Sequence, residues 1–119
     1  MSLAAYQRIS TLAETPRATE HRLISEVTRS TTEAWDAGVR GAALMPSLHR
    51  NREMWSTFAA SCGAAGNALP SELRARVISL SLWVDRHTSA VMAGRETVDP
   101  LLEVNQLLLD GLKPARLAA

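Results

Sequence analysis

The sequence predicts an all-α fold, a single compact helical bundle of about five helices, and it does so through composition, periodicity and the placing of proline. Nineteen alanines and many leucines stand beside few valines and isoleucines and only 4% aromatic residues, a mixture that favours helix over sheet. Every clear apolar pattern repeats near 3.6 residues, and none alternates as a strand would. Proline falls where helices begin. Thr15-Pro16, Leu69-Pro70 and Asp99-Pro100 each put the missing N–H at the first helical position, where no intrahelical acceptor waits for it.

A short helix is expected over about Ser2 to Ala13, ahead of the first of these prolines. The second, Pro16 to Val39, gathers Leu23, Ile24, Val27, Thr31, Ala34 and Gly38 on one side at ~100° per residue. Arg22, Glu26, Arg29 and Glu33 fall opposite and read as a solvated face. Gly38, Gly41 and Pro46 then interrupt the pattern. The third helix, Ser47 to about Ala65 with Ser47 as its cap, aligns Leu48, Trp55, Phe58, Ala59 and Cys62. Cys62 in that row reads as a small buried apolar residue rather than a reactive thiol. Gly63, Gly66 and Asn67 end the helix, being residues that tolerate the left-handed conformation of a helix terminus.

The fourth helix, Pro70 to Ala93 with Gly94 as its stop, carries Leu73, Val77, Leu80, Val84, His87 and Val91 at alternating spacings of four and three. Ile78 and Leu82 lie ~140° and ~180° from that stripe, so the helix is apolar on two sides. Such a helix is either central, with neighbours on both sides, or open along one face; burial is the expectation. The fifth helix, Pro100 to about Gly111, lines up Leu101, Val104, Asn105, Leu108 and Leu112, with Leu102 and Leu109 widening the face and Leu107 opposite. Residues 1–112 read as one domain and 113–119 as a loose C-terminal tail.

Composition excludes several functions. Thirteen basic against twelve acidic residues leave a net charge of +1, and no stretch forms a long basic run, so nucleic acid is not a favoured partner. The basic cluster His49-Arg50-Asn51-Arg52 lacks interleaved aromatics for base stacking and reads as a solvated helix start. The single cysteine leaves neither a disulfide framework nor a metal-binding cysteine cluster. A basic, then apolar, leader is missing at the start and no stretch nears the ~18 apolar residues of a membrane span, so a cytoplasmic protein with no membrane partner is expected. His21, His49 and His87 lack metal-ligand spacing, and there is no phosphate loop, nucleophile elbow or carboxylate pair. The expectation is a protein that is not an enzyme and takes no cofactor or metal.

His87 and Asn105 interrupt otherwise apolar stripes. An unpaired polar group there costs about 1–3 kcal/mol, so both are expected to be buried and hydrogen-bonded. Trp35, Trp55 and Trp83 fall one to a helix, as core anchors do.

Taken in order, Tyr6, Pro16-Arg17 with Glu20, Asn51-Arg52 with Trp55, Asn67-Ala68-Leu69-Pro70 with Leu73-Arg74, Ile78-Ser79-Leu80, Trp83-Val84 and Asp99-Pro100-Leu101 with Asn105 form a pattern that resembles the FlaF family. The resemblance runs from Tyr6 to Leu112. Arg50 stands where the family pattern has an aromatic or apolar residue, and Met54 replaces its leucine. What the resemblance implies is a non-enzymatic regulator of flagellar biosynthesis that binds flagellin and supports its production and export in the manner of a secretion chaperone, working beside the translational repressor FlbT. The alternative is post-transcriptional control of flagellin mRNA translation, directly or with FlbT, against which near-neutral charge and missing aromatic platforms argue. Flagellin's terminal segments form amphipathic helices, which suit an apolar groove on a bundle. The residues expected to bind the partner are Ile78, Leu82 and Trp83 on the fourth helix and Tyr6 near the N-terminus, with the Leu102, Leu107 and Leu109 side of the fifth helix as second choice.

Overall fold

A computed structural model describes residues 2–4 and 16–112. The expected helix over Ser2 to Ala13 therefore lies, beyond residues 2–4, outside the described residues, as do Tyr6 and the tail 113–119. Among the described residues there are four α-helices rather than five, and no strand. Helix α1 spans Pro16–Asp36 among the described residues and stops short of Val39. Gly38 adopts φ +83°, which lets its N–H reach Trp35 O and the Val39 N–H reach Ala34 O, both at 3.0 Å. That reversal satisfies the terminal carbonyls and closes the helix.

A 3-10 turn, Gly41–Leu44, runs directly into α2, Met45–Gly63. Ser47 is thus inside the helix and caps nothing. The turn already threads its carbonyls into the helical ladder, with the Met45 N–H on Ala42 O, so no side-chain cap is needed. The connection to α3 is fixed by Asn67, whose Nδ2 donates to Ser61 O at 3.0 Å and whose Oδ1 accepts the Leu69 N–H at 2.9 Å. Helix α3 spans Ser71–Met92, with Pro70 as its N-cap in an extended conformation and not as its first helical residue. Helix α4 spans Asp99–Gly111 and takes Pro100 in its first turn.

Helices α2 and α3 form the most extensive pair, and α1 packs on α2 and α4 while barely touching α3. The core between them holds Ile24 and Val27 of α1, Leu48, Trp55, Phe58 and Cys62 of α2, Val77 and Val84 of α3, and Leu101 and Leu108 of α4. Two expectations need correction. Leu23 is not in the α1 core stripe: it is 45% exposed, because the helix turns its Ile24–Val27–Thr31 row inward and leaves Leu23 on the rim. Nor is α3 covered on both sides. Its buried row is Val77, Val84, Thr88 and Val91, Leu73, Leu80 and His87 sit at the margin, and with α1 committed elsewhere no described element covers the opposite side. Ile78 and Leu82 are exposed.

Candidate protein-docking surface

The geometry of any surface on this bundle depends on how α1, α2 and α4 are locked together, and a buried polar knot does that. Asn105, on α4, is fully buried. Its Oδ1 accepts the Trp55 indole N–H at 2.7 Å, and its Nδ2 donates to Asn51 Oδ1 at 2.7 Å and to Thr28 Oγ1 at 3.0 Å. Thr28 in turn donates a hydrogen bond from its own hydroxyl to Ile24 O at 2.7 Å. The donors and acceptors fit one amide orientation only, since a flipped Asn105 would face the indole N–H with its own N–H. Among the described residues, Thr31 Oγ1 and Asn51 Nδ2, also buried, find no hydrogen-bond partner.

Helices α2 and α3 are pinned by a second polar contact. Arg52 Nη2 donates to Asp85 O at 2.9 Å and to Ser89 Oγ at 2.6 Å, while its Nε lies 3.1 Å from Asp85 Oδ1. The cluster at His49 to Arg52 is therefore not simply a solvated helix start: His49 and Arg50 are exposed, but Asn51 is core and Arg52 is a cross-link. Cys62 is buried as expected, and burial, with some help from the Glu20 carboxylate and against the Arg74 guanidinium, raises its thiol above the ordinary value of 9.0.

On the outer side of α3, Leu82 is 61% and Ile78 40% exposed, one helical turn apart. Small residues, Ser71, Ala75 and Ser79, occupy the neighbouring exposed positions of the same face. Trp83 borders it, half-buried, with its ring stacked on His87 at 4.8 Å between centroids and 18° between planes. His87 donates from Nε2 to Thr97 O at 2.9 Å. The expectation for His87 is corrected in part: it is hydrogen-bonded but only half-buried, because it sits at the margin of the α3 core row. Of the four partner-binding candidates, Ile78 and Leu82 are exposed on one side of α3, the half-buried Trp83 lies ~100° round the helix from Leu82, and Tyr6 lies outside the described residues.

The second choice does not form a surface. Leu107 is exposed, but Leu109 is buried and Leu102 partly so, since those two widen the core face of α4 rather than its outer face. A feature that sequence reasoning missed lies between α1 and α2, where adjoining cavities of about 180 and 240 Å³ share Leu23, Met54 and Thr57. Ile24 and Phe58 line one cavity and Val27 the other, with Glu20, Arg50 and Glu53 among the remaining residues. The only signal available was the position of Leu23 at the edge of its stripe. Trp35 is also half-buried, with the Arg40 guanidinium 3.2 Å above its ring centre.

Among the described residues, no group of His, Cys, Asp and Glu is arranged to hold a metal ion, and no helix is long and apolar enough to cross a membrane. The sequence model of one family, described as Flagellar protein FlaF, matches residues 2–112. No curated protein and no solved structure matches the chain.

Proposed function

Since this chain belongs to the FlaF family of flagellar proteins, we propose that it binds flagellin in the cytoplasm and shields the amphipathic terminal helices that would otherwise polymerise before export. It acts by binding, without catalytic turnover. The observation that carries the reading is the outer face of α3, where Ile78 and Leu82 stand in water on a well-packed helix. Apolar side chains gain about 25 cal/mol for each Å² removed from water. Two adjacent exposed anchors with small neighbours are what a helix-binding surface needs. Trp83 adds a flat aromatic edge, and Tyr6 is the contact assigned to the N-terminal segment.

Co-expression with flagellin, followed by purification and size analysis, tests the reading. A stable complex with fixed stoichiometry is expected for the unaltered chain, and its loss for Ile78→Asp with Leu82→Asp, with circular dichroism unchanged because neither side chain is core. Binding retained by that well-folded double variant would move the interface, with the trough between α1 and α2 next in line. Preference for the flagellin transcript leader over the protein would transfer the function to mRNA.

A further inference from the structure

Where α1 and α3 end, beside the 3-10 turn and the loop before α4, lies a cavity of about 390 Å³. Its apolar lining is Leu44 and Val91, both buried, with Met92 half-buried, and its charged residues are Arg40, Arg95 and Glu96, all exposed. Arg40 is held in one place. Its guanidinium lies 3.2 Å above the centre of the Trp35 ring, and its Nη1 donates to Trp35 O at 2.9 Å and to Val39 O at 2.8 Å. Those two bonds use both N–H groups of Nη1 and serve the C-terminal end of α1. They leave Nε and Nη2, the edge whose parallel N–H groups match the two oxygens of a carboxylate. Among the described residues that edge has no acceptor, and the Arg95 guanidinium has no ion-pair partner.

We infer that this cavity binds a carboxylate carried by a peptide beside an apolar side chain, the acid being either a side chain or the chain end. The carboxylate takes the Nε and Nη2 fork of Arg40, Arg95 adds charge, and the apolar side chain covers Leu44, Val91 and Met92. Stacking on Trp35 and the two carbonyl bonds fix the fork before the ligand arrives, so little side-chain entropy is lost on binding. Capping α1 accounts for Nη1 alone; a lysine could serve the same carbonyls but would present no fork. The charge balance sets the class of anion. Two arginines against Glu96 leave +1 around the cavity, and the carbonyl ends of α1 and α3 reduce the field further. A nucleic acid or a phosphate dianion needs a stronger positive field, whereas a single carboxylate held bidentately does not. The volume is near the lower end of the ~300–1,000 Å³ of small-ligand sites, room for a residue or two and not for a helix. Val91 is nine residues beyond Leu82, about 13 Å along α3, so this site is separate from the docking face and stands whether or not flagellin binds there.

Nitrogen–proton NMR titration of the full chain tests this, with the Trp35 indole and the Gly41 and Gly94 amides as reporters, since all three residues line the cavity. N-acetyl-leucine stands for a chain end and acetyl-leucyl-glutamate amide for an acidic side chain. At least one should shift the reporters with a dissociation constant in the millimolar range, and the tighter of the two identifies the source of the carboxylate. N-acetyl-leucinamide and acetate each lack half of the recognised pair and should bind at least about tenfold more weakly, with inorganic phosphate no better than acetate. Arg40→Lys keeps the charge without the fork and should lose about tenfold. Glu96→Gln, at an exposed position, removes the opposing carboxylate and should tighten binding about threefold, a gain that a purely structural role for Arg40 does not produce. Reporters unmoved by either acid, equal binding of N-acetyl-leucine and its amide, full affinity in a folded Arg40→Lys chain, or tighter binding of phosphate overturns the inference. If Arg40→Lys prevents folding, Glu96→Gln decides: unchanged or weaker binding in that variant overturns it.

Discussion

The knot around Asn105 and the outer face of α3 break the usual arrangement of polar and apolar residues in opposite senses. At Asn105 a polar side chain is buried, and the chain supplies the partners itself: the Trp55 indole, the Asn51 amide and the Thr28 hydroxyl, one or more from each of two other helices. At Ile78 and Leu82 apolar side chains are exposed, and the described residues supply nothing to cover them. The first departure is settled inside the molecule and fixes how the helices sit. The second is left open among the described residues, and the proposed docking face rests on it.

This contrast yields graded expectations. The largest effect belongs to Asn105→Ala, which strands the Trp55 N–H and the Asn51 carbonyl oxygen in the core and should cost about 3 kcal/mol of folding stability in urea unfolding. A loss below about 0.5 kcal/mol would show that the knot is ornamental to stability. Alkaline titration should give a smaller effect from Cys62. Its folded thiol ionises above 9.0 because burial opposes the thiolate. The native state therefore holds the proton more tightly than the unfolded chain, and stability is complete below pH 9.0 and declines as pH rises through the higher folded value. Cys62→Ala should remove that component of the decline, which a stability profile from pH 7 to 11 can read.

Thr31→Val is expected to act in the opposite direction. The Thr31 hydroxyl is buried without a partner among the described residues, so replacing it with a methyl group of the same shape should gain about 0.5–1 kcal/mol. A loss instead would reveal that the hydroxyl is satisfied and that the knot extends to it. The smallest change in stability should come from Ile78→Ser with Leu82→Ser, within about 0.5 kcal/mol of the original because both side chains already face water. A large loss there would erase the contrast and make α3 a central helix.

Much of this was legible from the residues alone. The helix class, Pro100 in the first turn of α4, the stop at Gly94 with φ +75°, and the inward rows of α2 and α4 all follow from local stereochemistry and a 3.6-residue period. The buried, bonded state of Asn105 was legible too, since a polar residue in an apolar row must find partners. Its partners were not. Asn51 and Thr28 lie 54 and 77 residues away in sequence, and no local rule pairs residues at such separations. Ser47 misled because its capping preference is local, while the 3-10 turn ahead of it had already supplied the continuation of the helix.

What the sequence by itself determined, then, is what each stretch of chain prefers and which of its sides avoids water: an all-α chain, the approximate extents of α1 to α4, and a helix α3 that is apolar on two sides. Only the tertiary structure decided which of those two sides stays wet. Helix α1 packs on α2 and α4 and leaves the outer side of α3 uncovered among the described residues. That choice depends on the summed burial and hydrogen bonding of three helices around Trp55 and Asn105, a quantity held by no single segment. The same arrangement opened the trough beside Leu23 and placed His87 at the margin instead of the centre, because the rotation of a helix about its axis is set by its neighbours as much as by its own apolar stripe.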